Sequence, residues 1–226
     1  MKQLHIITPV KDSIDLTLQT IESIKASICT VPTRYTVYND NSTPENTARL
    51  TQAAEEMGFE LVNISDITDH PSPNYLLVLQ MAIIESDVVV KPHTLQALFD
   101  GAEARPQCGI AAAVTVDEQE QINYPYLYAK GKENQVYPEK KHVSFCCSLL
   151  TLSFLKAFDF HQLDPSKNWH DVTISHRSIE LGFTNYLFTT LTVLHRPHSS
   201  RPWKLLKYTN PWKYYWLKFT KGLDKI

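Results

Sequence analysis

Glu85 and Asp87 stand two positions apart inside "IIESDVVVKP", a run that is otherwise apolar and β-branched. An isolated buried carboxylate is costly unless a cation, hydrogen-bond donors or solvent meets it. Side chains alternate along a strand, so acids at this spacing project to one side and can approach one site. Paired oxygen donors suit a hard divalent cation, although a solvated strand edge would also accommodate them. Three residues elsewhere have comparable potential. Asp40 follows the strand-like "YTVYN", where it is either a turn residue or a ligand contact. His195 ends the apolar "NYLFTTLTVL", as a metal ligand or as a hydrogen-bonded histidine. Asp171 precedes a periodic apolar segment, where a carboxylate either caps a helix or serves as a general base.

The elements that must position these residues follow from periodicity. Leu4–Val10 reads as a strand, and Ile14, Leu18, Ile21, Ile24 and Ile28 then recur at helical spacing. Tyr35–Asn39 is a second strand. Ser42 is the expected cap of the next helix, with Pro44 in its first turn and Glu45 at capping-box distance. Glu60–Ile64 completes a β-α-β-α-β order, which predicts a parallel, doubly wound sheet with ligands at the carboxyl ends of its strands. Ile83–Val90 reads as one further strand and Thr94–Ala104 as a helix. Between them and the third strand, Asn74–Ala82 leaves room for one short helix or for a strand. Ile110–Val116, Tyr124–Tyr128 and Val143–Thr151 are expected strands, with a polar loop around Lys130–Lys141. Asp171–Leu181 is an expected helix ended by Gly182, and Asn185–Leu194 a strand running into His195.

In this order, "LHIITPVKDSIDLTLQTIESI", "YNDNSTPENTARL", "ESDVVVKPHTLQAL" and "FDFHQLDPSKNWHDVTISHRSIELGF" resemble the successive motifs of family 2 glycosyltransferases of the GT-A fold, particularly the rhamnosyltransferase-like branch. The resemblance implies an α/β, GT-A-type, Rossmann-like doubly wound mixed sheet with helices on both faces. Residues 1–104 would form the nucleotide-sugar-binding half, 105–200 the acceptor-binding half and 201–226 a basic aromatic tail. The implied activity is inverting transfer of a sugar from a nucleotide-diphosphate sugar to a saccharide or lipid-linked saccharide, in cell-surface polysaccharide synthesis. Pro9, Asp12, Asp40, Asn41, Glu85 and Asp87 would then contact the donor. Asp87 and His195 would ligate a divalent metal, Mn²⁺ or Mg²⁺, and Asp171 would be the catalytic base. His170 stands where the family pattern has Glu, and the segment before Ile83 is short. Those departures leave open a non-catalytic sugar-nucleotide-binding or glycan-binding subunit at the membrane. A nucleotidyltransferase fits less well, because no glycine-rich phosphate loop is visible among only six glycines.

At 226 residues and 43% hydrophobic content the chain can bury a substantial core. No uninterrupted apolar run reaches the roughly 18 residues of a membrane-crossing helix, and the start lacks a signal-peptide pattern, so a cytoplasmic location is expected. Cys29, Cys108, Cys146 and Cys147 show no zinc-like spacing and are expected as free packing thiols. The net charge of −2 is uneven: from Arg201 onward seven Lys/Arg oppose one acid. Within this basic tail, Asn210 and Pro211 can open a helix with Trp212, Tyr215, Trp216 and Phe219 on one face. Such a helix suits the inner face of a membrane, or packing on the catalytic domain or a second subunit. No nucleic-acid partner is expected.

Overall fold

The apolar run Leu4–Val10 forms β1, and α1 (Ile14–Lys25) packs Ile14, Ile21 and Ile24 inward. Ile28 does not continue that stripe. The helix ends at Lys25, and the Ile28 N–H is taken by the Pro92 carbonyl at 2.8 Å, leaving the side chain exposed. β2 (Thr33–Asn39) leads into α2 (Pro44–Met57), whose N-cap is Thr43 and not Ser42. The Ser42 hydroxyl is instead the acceptor of the Asp12 N–H at 2.9 Å. Gly58, at φ 67°, closes α2 in the left-handed region before β3 (Glu60–Asn63). The computed structural model describes residues 3–67, 82–164, 170–196, 206–207 and 210–221. The expected short element at Asn74–Ala82 therefore lies, except for Ala82, outside the described residues.

The expected single strand Ile83–Val90 is two strands, β4 (Ala82–Ile84) and β5 (Val88–Val89), separated by a turn that contains both acids. β4 pairs with β1, whereas β5 pairs with the distant strand β9 (Thr184–His195). The strand splits because its two halves find their hydrogen-bond partners in different places. α3 (Thr94–Glu103) and β6 (Cys108–Val116) follow. β6 is buried throughout: Ile110, Ala112, Val114 and Val116 enter one apolar cluster, while Ala111 and Ala113 enter another. That alternation marks a strand covered on both faces.

Tyr124–Tyr128 is not a strand. The Tyr126 N–H donates to the Asn123 carbonyl, and the buried Tyr126 hydroxyl meets both the N–H and the carbonyl of Ser144, so local turns replace a ladder. The same contacts shorten the next strand. The Val143 N–H donates to the Ser175 hydroxyl, and β8 covers only Cys147–Leu150. Within the expected polar loop, β7 (Val136–Pro138) pairs with β9. α4 (Leu152–Ala157) and α5 (His170–Glu180) complete the domain, and Gly182 at φ 85° follows α5 as expected.

The sheet order is β3-β2-β1-β4-β8-β6-β9-β5, with β7 on β9. β1, β2, β3 and β4 are parallel. β8 is antiparallel to both β4 and β6, and β9 is parallel to β6, so two reversals return β6 and β9 to the direction of β4. The carboxyl ends of β1, β2, β4, β6 and β9 consequently share one edge of the sheet. The sheet is mixed, with helices packed against it, as the α/β reading expects. The tail forms α6 (Pro211–Lys221), opened by the Asn210 side chain, which accepts from the Lys213 N–H at 3.1 Å. Among the described residues no helix is long and apolar enough to cross a membrane.

Candidate functional site

Two groups of polar residues occupy the shared edge. The first is built by the loops after β1 and β2. Asp12, in the left-handed region at φ 56°, accepts from the Thr43 N–H at 2.8 Å and from the Asn46 amide at 3.2 Å. These bonds dock the first loop on the start of α2. The Thr43 N–H foremost, then the Asn46 amide, hold the Asp12 carboxyl below its ordinary range. Asp40 is buried, with its N–H bonded to the Val10 carbonyl at 2.7 Å and Lys11 Nζ at 3.7 Å from Oδ2. Burial raises its pKa, against the pull of Lys11. Its Oδ1 has no hydrogen-bond partner among the described residues, so a buried acceptor at a strand end is available to a donor from a ligand. Asn41 is exposed at φ 52°, and Pro9 is half-buried in the β1–β2 ladder opposite Tyr38.

The second group is assembled from parts of the chain far apart in sequence. The Glu85 N–H donates to the Cys146 carbonyl at 3.0 Å, the Arg196 N–H donates to the Asp87 carbonyl at 3.0 Å, and Val88 pairs with His195. The turn between β4 and β5 thereby sets both acids against Cys146 and His195. Their convergence comes from this turn and not from alternation along one strand. His195 Nε2 is 3.5 Å from Asp87 Oδ2, and the Cys146 thiol donates to Glu85 Oε2 at 3.1 Å. Ligand atoms of Glu85, Cys146 and His195 all lie within 4.8 Å of one another. The His195 Nδ1 is 2.7 Å from the Tyr124 carbonyl. A carbonyl only accepts, so Nδ1 carries hydrogen and Nε2 is turned toward the acids, the arrangement expected of a metal-binding histidine.

The charges of this group act strongly on one another. Burial, then the charge of Asp87, raises the Glu85 pKa, while His195 opposes the shift. Burial lowers the His195 pKa, but Asp87 and then Glu85 outweigh it, and the net direction is upward. Burial and the same two carboxylates push the Cys146 thiol well above its ordinary value. A cation is the group that would relieve all three effects, and nitrogen, oxygen and sulfur donors are present for it.

Asp171 lies in the first turn of α5, inside the helix rather than at its cap, and its Oδ1 accepts from the Val172 N–H at 2.9 Å. Its charge adds the last of the contributions that raise the Glu85 pKa. It also acts on His142, whose pKa burial nevertheless lowers. His170 beside it is buried.

No family model matches the chain, and no curated protein sequence matches it. Solved structures do. The mannosyltransferase PcManGT from Pyrobaculum calidifontis, in complex with GDP-Man and Mn²⁺, superposes with a TM-score of 0.66 at 12% identity, over 96% of this chain and 64% of that one. The chain has a GT-A-type fold. S. aureus TarS 1-349 in complex with UDP-GlcNAc matches with a TM-score of 0.60 at 14% identity, again over 96% and 64% of the two chains. The chain thus spans a little under two thirds of the length of these solved structures.

Within the GT-A-type fold, Glu85, Asp87 and His195 come together, Asp171 sits in the first turn of α5, and Asp12 and Asp40 sit at neighbouring strand ends. Cys146 is the member that sequence reasoning assigned to packing alone. It lies 61 residues from Glu85, and only the pairing of β4 with β8 joins them, so no local spacing signals the contact. The Tyr124 carbonyl, which orients His195, is a backbone group and leaves no mark on the sequence at all.

Proposed function

We propose that the chain is a cation-assisted, inverting glycosyltransferase that moves a sugar from a nucleotide-diphosphate sugar to a saccharide acceptor in cell-surface polysaccharide synthesis. One observation carries the reading: two carboxylates and an imidazole, from Glu85, Asp87 and His195, converge at the carboxyl edge of a GT-A-type sheet. Structures of the same fold hold GDP-Man with Mn²⁺ in one case and UDP-GlcNAc in another, which supports a nucleotide sugar as donor.

The residues divide the work by chemistry. Asp40 offers its unbonded buried oxygen to the nucleotide, and Asp12 holds the loop that frames it. Pro9 and Asn41 border the same strand ends and complete the contact surface for the donor. Asp87, Glu85 and His195 hold a divalent ion, Mn²⁺ or Mg²⁺. When bound, the ion supplies positive charge to the diphosphate as it departs. Asp171 takes the proton of the acceptor hydroxyl while that oxygen bonds to the anomeric carbon from the face opposite the leaving diphosphate. The bond from the anomeric carbon to the diphosphate oxygen breaks in the same displacement, so the configuration inverts.

The tail supports a location at the membrane surface. α6 buries Tyr214 and leaves Trp212 and Phe219 each 89% exposed, with Tyr215 and Trp216 also exposed. The helix is thus docked by the side opposite its aromatic stripe, the reverse of an ordinary amphipathic packing helix. Lys213 is exposed on one flank of the stripe, and half-buried Lys218 stands on the other. An aromatic and basic face suits an anionic lipid interface where a lipid-linked saccharide would be met. Replacing Trp212 and Phe219 by Ser should lower sedimentation with anionic vesicles and leave stability within about 0.5 kcal/mol of wild type. Equal vesicle binding by the variant would remove the membrane role.

The principal test is transfer and sugar-nucleotide hydrolysis by Asp87→Ala and Asp171→Asn. Loss of both activities supports the assignment, and full activity in both variants would sink it. A chain that binds nucleotide sugars calorimetrically but turns none over would instead be a binding subunit.

A further inference from the structure

The Cys146 thiol does not belong to an all-oxygen-and-nitrogen cation site, yet it stands inside one. Cys146 is 2% exposed and its sulfur lies among the ligand atoms of Glu85 and His195, all within 4.8 Å of one another. Its place is fixed from both sides. The Glu85 N–H is bonded to the Cys146 carbonyl, and the next residues, Ile84 and Cys147, are paired in the β4–β8 ladder. Ser144 Oγ is 3.4 Å from the sulfur and is free to rotate its hydrogen toward a thiolate. The imidazole offers Nε2 because the Tyr124 carbonyl occupies Nδ1. One sulfur, one nitrogen and the carboxylate oxygen of Glu85, with Asp87 Oδ2 3.5 Å from the same imidazole nitrogen as a further oxygen donor, form a set that favours a borderline-soft ion over Mg²⁺.

We propose that Cys146 is a sulfur ligand in a Glu85–Cys146–His195 centre, which makes this edge a binding site for thiophilic divalent ions of the Zn²⁺ and Co²⁺ class. The inference rests on reading this edge as the cation site and goes beyond it by naming the donor that sets ion preference. On binding, the S–H bond gives way to a sulfur–metal bond, the thiol proton passes to solvent, and the sulfur–carboxylate hydrogen bond is replaced by two bonds to one ion. No oxidation is involved.

The test is Co²⁺ titration of the full chain, followed optically. The expected result is a saturable thiolate-to-cobalt charge-transfer band in the near ultraviolet, abolished by stoichiometric Zn²⁺. The band should be lost in Cys146→Ser, weakened in Glu85→Gln and retained in Cys147→Ser, the last being a control for the neighbouring buried thiol. The wild-type band is informative even if Cys146→Ser fails to fold. Co²⁺ binding with visible ligand-field bands but no charge-transfer band would overturn sulfur ligation and leave the cation site standing. Failure of the wild type to bind either Co²⁺ or, by electron paramagnetic resonance, Mn²⁺ would overturn the cation site itself. A band that survives in Cys146→Ser but not in Cys147→Ser would assign the sulfur to the wrong residue here and would also overturn the inference.

Discussion

The two polar groups at the carboxyl edge of the sheet meet opposite electrostatic problems. At the ends of β1 and β2, Asp12 finds the Thr43 N–H and the Asn46 amide, and Asp40 finds Lys11, so each carboxylate has a partner from a neighbouring loop. At the ends of β4 and β9, Glu85 and Asp87 feel each other's charge, with His195 against Asp87 and the Cys146 thiol against Glu85. Like charges brought together in a buried place cost stability, and such crowding is concentrated at functional sites. The first half thus has one open acceptor on Asp40, and in the second the proposed cation would meet the crowded charge.

That contrast can be broken by mutation, and the largest effect falls in the second half. Asp171→Asn should lower the transfer rate by about 10²–10⁴-fold, the range for loss of a positioned general base, with nucleotide-sugar affinity little changed. Steady-state kinetics separate the two quantities. In the first half the expected loss is structural. Asp12→Ala removes the side chain that ties its loop to the start of α2 and should cost about 1 kcal/mol in urea unfolding, the usual worth of a helix-terminal carboxylate bond.

The smallest effect sharpens the contrast by its sign. The Asp12 carboxyl is held below its ordinary value of 3.8, so its stabilising contribution is complete above that pH and fades as pH falls through the lower folded value. The Glu85 carboxyl is raised above its ordinary 4.5, by burial first and then by Asp87. The native state therefore binds the Glu85 proton more tightly than the unfolded chain does. Stability should decline as pH climbs from 4.5 through the folded value. In chelator-treated protein, Glu85→Gln should remove that decline and be more stable than wild type at neutral pH, whereas Asp12→Asn should be less stable. Thermal unfolding across pH reads both, and destabilisation by Glu85→Gln would contradict the unfavourable charge crowding inferred for the second half.

The same contrast decides what the sequence could reveal. The first half is contiguous β-α-β chain, where hydrophobic periodicity and turn residues act locally. β1, α1, α2 and the positions of Asp12 and Asp40 were legible for that reason. Even there, the cap moved from Ser42 to Thr43, because a loop 30 residues upstream claimed the serine hydroxyl. The second half depends on pairings across long stretches of chain. "IIESDVVVKP" reads as one strand because its residues all favour strands, but β4 finds β8 and β5 finds β9, and the acids fall in the turn between. Tyr124–Tyr128 has strand composition and is held in turns by the Tyr126 hydroxyl on Ser144. The family-like motifs single out Glu85, Asp87 and His195, which the fold brings together. No motif marks Cys146 or the Tyr124 carbonyl, which meet them only through tertiary pairing.

The measurement closest to the central claim is calorimetric titration of nucleotide-diphosphate sugars, GDP-Man and UDP-GlcNAc among them, into the wild-type chain and Asp87→Ala, each with Mn²⁺ and with chelator. At least one donor should bind the wild type with Mn²⁺, chelation should weaken this binding, and Asp87→Ala should lose the cation dependence. Donor binding of equal strength in all four conditions would contradict this, because the crowded carboxylates would then hold no cation that the donor uses.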